Sequence, residues 1–149
     1  METFTILQDI RYGFAAIFLL IESIYDLKSK KISIPILVIF IIPSFLLALY
    51  IEKTNFLTLI IGAFIGLGVL GLSFLTKEGI GYGDAIILIG TGLVLGWRIN
   101  LIMLFTGLFL SSVISIVLLI KKMDRKMTIP FVPFITCAYF FILLTGGLG

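Results

Sequence analysis

The chain has 149 residues, of which 60% are hydrophobic and 13% are charged, and its mean hydropathy is +1.27. A soluble domain of this size carries about a quarter charged residues, so the composition excludes a water-soluble globule. The 11 basic and 8 acidic residues give a net charge of +3 and are too dispersed for a nucleic-acid-binding patch. Because the chain has no histidine and one cysteine, an internal disulfide is excluded, and acid–base chemistry falls to carboxylates, lysines or tyrosines.

Apolar runs predict six membrane-spanning helices, since one span needs roughly 20 mostly apolar residues. In chain order they cover residues 10–25, 32–51, 56–75, 85–97, 101–120 and 131–144. The fourth and sixth runs are short, which indicates helices that begin below the membrane surface. Several glycines are expected to let helices approach closely, and they are Gly62, Gly66, Gly90, Gly92 and Gly96. We therefore expect an all-α polytopic membrane protein that forms a single domain over residues 1–149.

The basic residues are distributed unequally between alternate connections. Eight of the 11 fall in the first, third and fifth connections. By the positive-inside rule these connections face the cytoplasm, and the N-terminus and C-terminus face outward. The N-terminal segment has no basic cluster and no small-residue cleavage signal, so we interpret the first span as retained rather than as a signal peptide.

Four of the 8 acidic residues lie in or beside apolar segments, towards the expected cytoplasmic side: Glu22, Asp26, Glu78 and Asp84. Ionisable groups are costly in a membrane, so each raises a functional hypothesis. Taken alone, Asp26 is explained as a hydrated boundary acid or a partner of Lys30, and Asp84 as the N-cap of the following helix. Together, at one membrane face and beside a glycine-rich stretch that lets backbone approach a ligand, they indicate two apposed carboxylates.

Paired carboxylates have a specific chemical use. At a separation of about 3 Å they cannot both ionise readily, so they share one proton and their pKa values separate. The ionised member can take a proton from a water that attacks a peptide carbonyl, and the protonated member can polarise that carbonyl and protonate the leaving amine. We expect no cofactor and no metal site for this chemistry. We expect Cys137, inside the sixth span, to pack as a small apolar side chain rather than act as a nucleophile.

Three segments resemble the type IV prepilin leader peptidases, which are GxGD intramembrane aspartic proteases. The stretch from Lys77 to Asp84 resembles the GxGD segment of that family. The segment Asp26-Leu27-Lys28, with Ile32 six residues after the aspartate, resembles the one that carries the first catalytic aspartate. Residues 129–134 are similar to the proline-phenylalanine motif that opens the family's last helix. The resemblance covers nearly the whole chain, with departures such as Ser33 where proline is frequent and Val132 where glycine is common.

The resemblance implies roles for particular residues. Asp26 and Asp84 would form the catalytic pair, and Gly81 and Gly83 would shape the turn that presents Asp84, with at least one of these glycines non-helical. Further residues are expected to bind substrate or shape the site: Glu78, Pro130, Phe131, Pro133 and Phe134. For Glu78 a boundary acid, and for the prolines a helix start, are equally good explanations. Glu22 lies one helical turn before Asp26, so it either tunes the pKa of Asp26 or pairs with a lysine.

The resemblance also implies an activity. It is that of a membrane aspartic endopeptidase, which cleaves the short basic leader of type IV prepilins or pseudopilins at the cytoplasmic face of the cell membrane. The partners would be the membrane-inserted substrate and the lipid bilayer, without nucleic acid, in a type IV pilus or protein-secretion pathway. The compact first connection and the single cysteine leave no place for the tetracysteine zinc segment of longer members, so we expect no zinc and no methyl transfer.

Two other functional classes stay open. A small ion-coupled transporter or channel would also place acidic residues in the membrane, but it predicts acids spread through the membrane thickness rather than gathered at one side. A membrane assembly protein could keep the same fold without catalysis.

Overall fold

The computed structural model describes residues 2–29, 31–51, 56–76, 81–121 and 129–146. Within these ranges the chain forms six α-helices. They are α1 (Glu2–Ser29), α2 (Ile34–Ile51), α3 (Phe56–Leu75), α4 (Tyr82–Leu95), α5 (Trp97–Ile120) and α6 (Val132–Leu144). The predicted all-α class is confirmed.

Three of the helices, α2, α3 and α5, are long and apolar enough to cross a membrane. The most apolar windows of these helices have mean hydropathies of 2.7, 2.3 and 2.5. The helices α4 and α6 are also apolar but have only 14 and 13 residues, and α1 has 28 residues with acidic and basic side chains among them. The helices are those of a membrane protein, while the six-span topology and the outward orientation of both termini stay predictions.

The link between α4 and α5 differs from the prediction. The helix α5 begins at Trp97, so residues 98–100, which were expected in a connecting loop, are helical. A single residue, Gly96, joins the two helices with a φ of +81°, a backbone angle that glycine adopts without a steric penalty. The fourth connection is therefore one residue long.

The side chain of Asn100 is fully buried and crosslinks three helices. Its amide Nδ2 donates to the backbone carbonyls of Gly62 on α3 (2.9 Å) and Leu88 on α4 (2.8 Å). The hydroxyl of Thr91 donates to its Oδ1 (2.8 Å). Every polar atom of this amide that faces the core thus has a partner, as a buried polar group requires.

Glycines bring α3 and α4 together, as the sequence predicted. A Cβ atom on Gly62 would lie 2.5 Å from the carbonyl oxygen of Gly92, and a Cβ on Gly92 would collide with the Gly62 carbonyl. Gly66 meets the backbone of Ile89 in the same way, and Gly90 accommodates the side chain of a residue on α2. The two helices therefore pack backbone to backbone.

Hydrogen bonds align α1 and α6 in antiparallel fashion. The Tyr139 hydroxyl donates to the Tyr12 carbonyl (2.9 Å), and the Thr136 hydroxyl donates to the Leu19 carbonyl (3.1 Å). These contacts bring the start of α6 beside the end of α1. At the same end of the bundle, the rings of Phe74 and Tyr82 are 5.1 Å apart, so the end of α3 lies by the start of α4.

Candidate active site

Asp26 lies in the last turn of α1, and its side chain is only 7% exposed. Its Oδ2 accepts a hydrogen bond from the backbone amide of Val132, the first residue of α6 (3.2 Å). The first amides of a helix have no partner within the helix, and the helix dipole favours an anion there. The start of α6 therefore stabilises a negative charge on Asp26, and a hydrated boundary acid does not describe this residue.

Asp84 lies in the first turn of α4, outside the three long apolar helices. The N-cap of α4 is Gly81, so the alternative that Asp84 caps this helix is wrong. Burial, and after it the charge of Asp26, raise the pKa of Asp84 from its ordinary value of 3.8 to about 7. The two aspartates, distant in the sequence, are thus close enough to interact electrostatically at one end of the bundle.

Both glycines of the segment before Asp84 are positions of close approach. Gly81 is extended, with φ of −62° and ψ of 129°, which confirms that one of the two is non-helical. A Cβ on Gly81 would lie 2.8 Å from Asp84 Oδ2. Gly83 is helical, and a Cβ there would lie 2.9 Å from Cγ2 of Ile32 in the connection between α1 and α2. Neither glycine has a positive φ, so backbone conformation does not require glycine at either position. Each is explained instead by the neighbouring side chain that occupies the space a Cβ atom would need.

The proline-phenylalanine segment forms the start of α6. Phe131 is the N-cap residue, and its carbonyl accepts from the amide of Phe134 (3.0 Å). Pro133 falls in the first helical turn, where a missing amide hydrogen costs nothing, so its role as a helix start agrees with the structure. The side chains of this segment are partly buried, namely Pro130, Phe131, Pro133 and Phe134. Their contact with substrate stays a prediction.

Glu22 is fully buried on α1, one turn before Asp26. Its Oε2 accepts from the backbone amide of Ser33 (3.1 Å), so within the described ranges its hydrogen-bond partner is a backbone amide and not a lysine. The carboxylate also interacts electrostatically with Asp26. Two other residues of the sequence hypotheses, Glu78 and Lys30, lie outside the described residues.

Sequence reasoning missed the two backbone amides that hold the acidic side chains. The donors belong to Val132 and Ser33, and both positions drew attention only as departures from the family pattern. An amide donor has no signature in the side-chain sequence, because every residue except proline carries one. Only the packing of α6 and of the connection before α2 against α1 reveals them.

Cys137 does not pack inside the bundle, because its side chain is exposed on the outer face of α6. Its neighbours Thr136 and Ala138 face the interior instead. Among the residues that the structure describes, no group of three or more histidine, cysteine, aspartate or glutamate side chains is arranged to hold a metal ion.

Comparison with protein families gives one match. The family model of the type IV leader peptidase family matches residues 13–120, a range that contains both Asp26 and Asp84 and ends before the proline-phenylalanine segment. No curated protein and no solved structure matches the chain significantly.

Proposed function

Since the chain belongs to the type IV leader peptidase family, we propose that it is an aspartic endopeptidase of the membrane with Asp26 and Asp84 as its catalytic pair. The substrate is the leader of a type IV prepilin or pseudopilin, cut at the cytoplasmic face of the cell membrane. The observation that carries the proposal is that both carboxyl groups lie at one end of the bundle, Asp26 on the first amide of α6 and Asp84 close enough to interact with it electrostatically.

The different surroundings of the two aspartates support different roles. Asp26 accepts a backbone amide at the start of a helix, which favours its ionised form. Asp84 is partly buried and is affected by the charge of Asp26, and together these raise its pKa to about 7. In this proposal Asp26 is the general base and Asp84 is the general acid.

The reaction needs one water and one peptide bond. Asp26 takes a proton from the water as its oxygen forms a bond to the peptide carbonyl carbon, while the proton of Asp84 polarises the carbonyl oxygen. The C–N bond then breaks, and the leaving amine takes a proton from Asp84. The proton acquired by Asp26 passes to Asp84, which restores the starting state.

The location of the reaction follows from the basic residues. The ends of α1, α3 and α5 and the starts of α2, α4 and α6 flank the first, third and fifth connections, which hold most of the lysines and arginines. The positive-inside rule supports a cytoplasmic position for these connections and so for the aspartate pair.

The test is cleavage of a prepilin-type substrate by purified protein in lipid nanodiscs. Asp26→Asn and Asp84→Asn should each lower kcat by about a thousandfold or more, a loss at the upper end of what one general acid or base contributes. Both variants keep the side-chain volume, so their helical circular dichroism should match that of the wild type. Asp9→Asn, at an exposed position of α1, is the matched control and should cleave normally. Cleavage by either site variant within tenfold of the wild type would reject the assigned pair.

A further inference from the structure

Glu22 is a buried carboxylate that stability alone does not explain. Its side chain is 0% exposed, and its Oε1 has no hydrogen-bond partner among the described residues. Burying a carboxylate with an unsatisfied oxygen destabilises a fold, and replacing such a group by an apolar side chain of similar size is often neutral or stabilising. The one hydrogen bond that Glu22 makes, to the amide of Ser33, is therefore the feature to explain.

Ser33 directly precedes α2 and is its N-cap residue. Its carbonyl accepts the amide of Leu37 (3.0 Å), as the N-cap carbonyl of a helix does. The amide of an N-cap residue is not used inside the helix, and here it is given to Glu22. The Ser33 hydroxyl makes no hydrogen bond in the described part of the chain, so the backbone carries the contact. This bond ties the start of α2 to α1 one turn before Asp26.

The connection that this bond holds also contacts α4. Ile32 precedes Ser33, and its Cγ2 fills the space that a Cβ on Gly83 would need, at 2.9 Å. Gly83 is followed directly by Asp84. A continuous series of contacts thus runs from α1, through residues 32 and 33, to the first turn of α4.

We propose that Glu22 is a positioning residue, which sets the separation of Asp26 and Asp84 by holding the Ser33 amide and with it the connection that packs against Gly83. The inference rests on the proposed function, because its main effect is on cleavage. Glu22 itself does not touch the substrate. The contact exists in this chain because residue 33 is not a proline, which has no amide hydrogen to give.

Two pairs of variants separate the hydrogen bond from other effects. Glu22→Leu removes the acceptor, whereas Glu22→Gln keeps an acceptor oxygen and removes only the charge that faces Asp26. Ser33→Pro removes the donor, whereas Ser33→Ala keeps it. Proline also restricts the residue before it to extended conformations, and Ile32 is already outside the helices.

The first measurement is kcat and KM for a prepilin-type substrate in nanodiscs. Glu22→Leu and Ser33→Pro should each lower kcat about tenfold and leave KM within about twofold, since a displacement below 1 Å in the pair already slows the reaction. Glu22→Gln and Ser33→Ala should stay within about threefold of the wild type. The kcat of the double variant Glu22→Leu/Ser33→Pro should lie within about threefold of that of either single variant, because both changes remove the same hydrogen bond.

A role in folding alone gives a different pattern. It predicts that loss of activity follows a loss of thermal stability, whereas we expect Glu22→Leu to melt at or above the wild-type temperature. The inference is overturned if Ser33→Pro cleaves at the wild-type rate, if Glu22→Gln is as slow as Glu22→Leu, or if the two single losses multiply to about a hundredfold in the double variant.

A second measurement does not depend on activity. With 15N-labelled serine, hydrogen exchange of the Ser33 amide in the wild type and in Glu22→Gln should be about tenfold slower than in Glu22→Leu, because a hydrogen-bonded amide exchanges only on local opening. The Ser44 amide inside α2 is the internal control and should not change. Equal exchange of Ser33 in all three proteins overturns the inference. An Asp26→Asn variant that cleaves normally would instead reject the proposed function, while the exchange rates of Ser33 would still decide whether Glu22 holds this amide.

Discussion

The two aspartates of the candidate site differ in what surrounds them rather than in chemical type. Asp26 accepts the first free amide of α6, while Asp84 is partly buried and interacts electrostatically with the charge of Asp26. If both aspartates had the same surroundings, either could act as the acid or as the base. In the proposed mechanism these surroundings favour the negative charge on Asp26 and the proton on Asp84.

The proton on Asp84 should make folding stability depend on pH. Its pKa is raised to about 7 in the folded protein, mainly by burial, whereas the unfolded chain releases this proton near its ordinary value of 3.8. Between these values the folded state binds more protons, so the free energy of unfolding falls as the pH rises through this window. The wild type should therefore lose more thermal stability than Asp84→Asn between pH 5 and pH 8, measured in the same detergent. Equal losses in both proteins would contradict the raised pKa.

Gly81→Ala should damage cleavage more than folding. The added Cβ would lie 2.8 Å from Asp84 Oδ2, so the carboxyl group has to move, and a shift of about 1 Å can cost roughly a hundredfold in rate. The backbone of Gly81, with φ of −62° and ψ of 129°, suits alanine equally well. Gly13→Ala is the control, since no atom lies within 4 Å of its added Cβ. Wild-type turnover by Gly81→Ala would show that this space is not needed for the position of Asp84.

At the level of helices, the sequence predicted the contact between α3 and α4 but not the start of α5. The glycines predicted close packing correctly, because a missing side chain is visible in the sequence. Residues 98–100 were assigned to a loop because Arg98 and Asn100 are polar and interrupt the apolar run. In the structure Asn100 finds its partners on neighbouring helices, and those partners are backbone carbonyls that no pattern reveals.

Gly92→Ala should separate α3 from α4 and destabilise the protein. Its Cβ would collide with the Gly62 carbonyl, a backbone atom that can move only with its helix, and overpacking of this kind costs about 1–3 kcal/mol. Gly68→Ala, on the same pair of helices but with no atom within 4 Å of its Cβ, should be neutral or slightly stabilising because alanine favours helix. The measurement is thermal unfolding followed by circular dichroism. Equal melting temperatures for the two variants would contradict the close helix contact.

For the whole molecule, composition and apolar runs were enough to predict an all-helical membrane protein with six helices in the described ranges. They also selected four acidic residues beside apolar runs, from which the shared membrane face, the glycine-rich stretch and the family resemblance singled out Asp26 and Asp84. The proximity of these two aspartates depends on how the helices pack. It depends on contacts such as the hydrogen bond from Thr136 to the Leu19 carbonyl, which joins helices far apart in the sequence. A pattern read along the chain contains no such distances.

Orientation in the membrane can be tested with single cysteines in a Cys137→Ala background. The exposed positions Lys31, Thr76 and Lys121 lie at the helix ends around the candidate site, and Arg98 is exposed near the one-residue link between α4 and α5. By the positive-inside rule, an impermeant maleimide should label the first three from the cytoplasm and Arg98→Cys from outside. Labelling of positions 31 and 121 from opposite faces would disprove the six-span arrangement.

The helices that carry the two aspartates differ greatly in length. At 1.5 Å per residue, the 28 residues of α1 extend for about 42 Å, whereas the 14 of α4 extend for about 21 Å. A bilayer has a hydrocarbon core of about 30 Å, so α1, with charged residues towards both ends, is long enough to cross it and α4 is not. Hydrophobic mismatch at a short helix is relieved by thinning of the lipid beside it. Under the proposed function we therefore expect the acyl-chain length of the surrounding lipid to act on the relative height of Asp26 and Asp84, and membrane thickness to influence the cleavage rate.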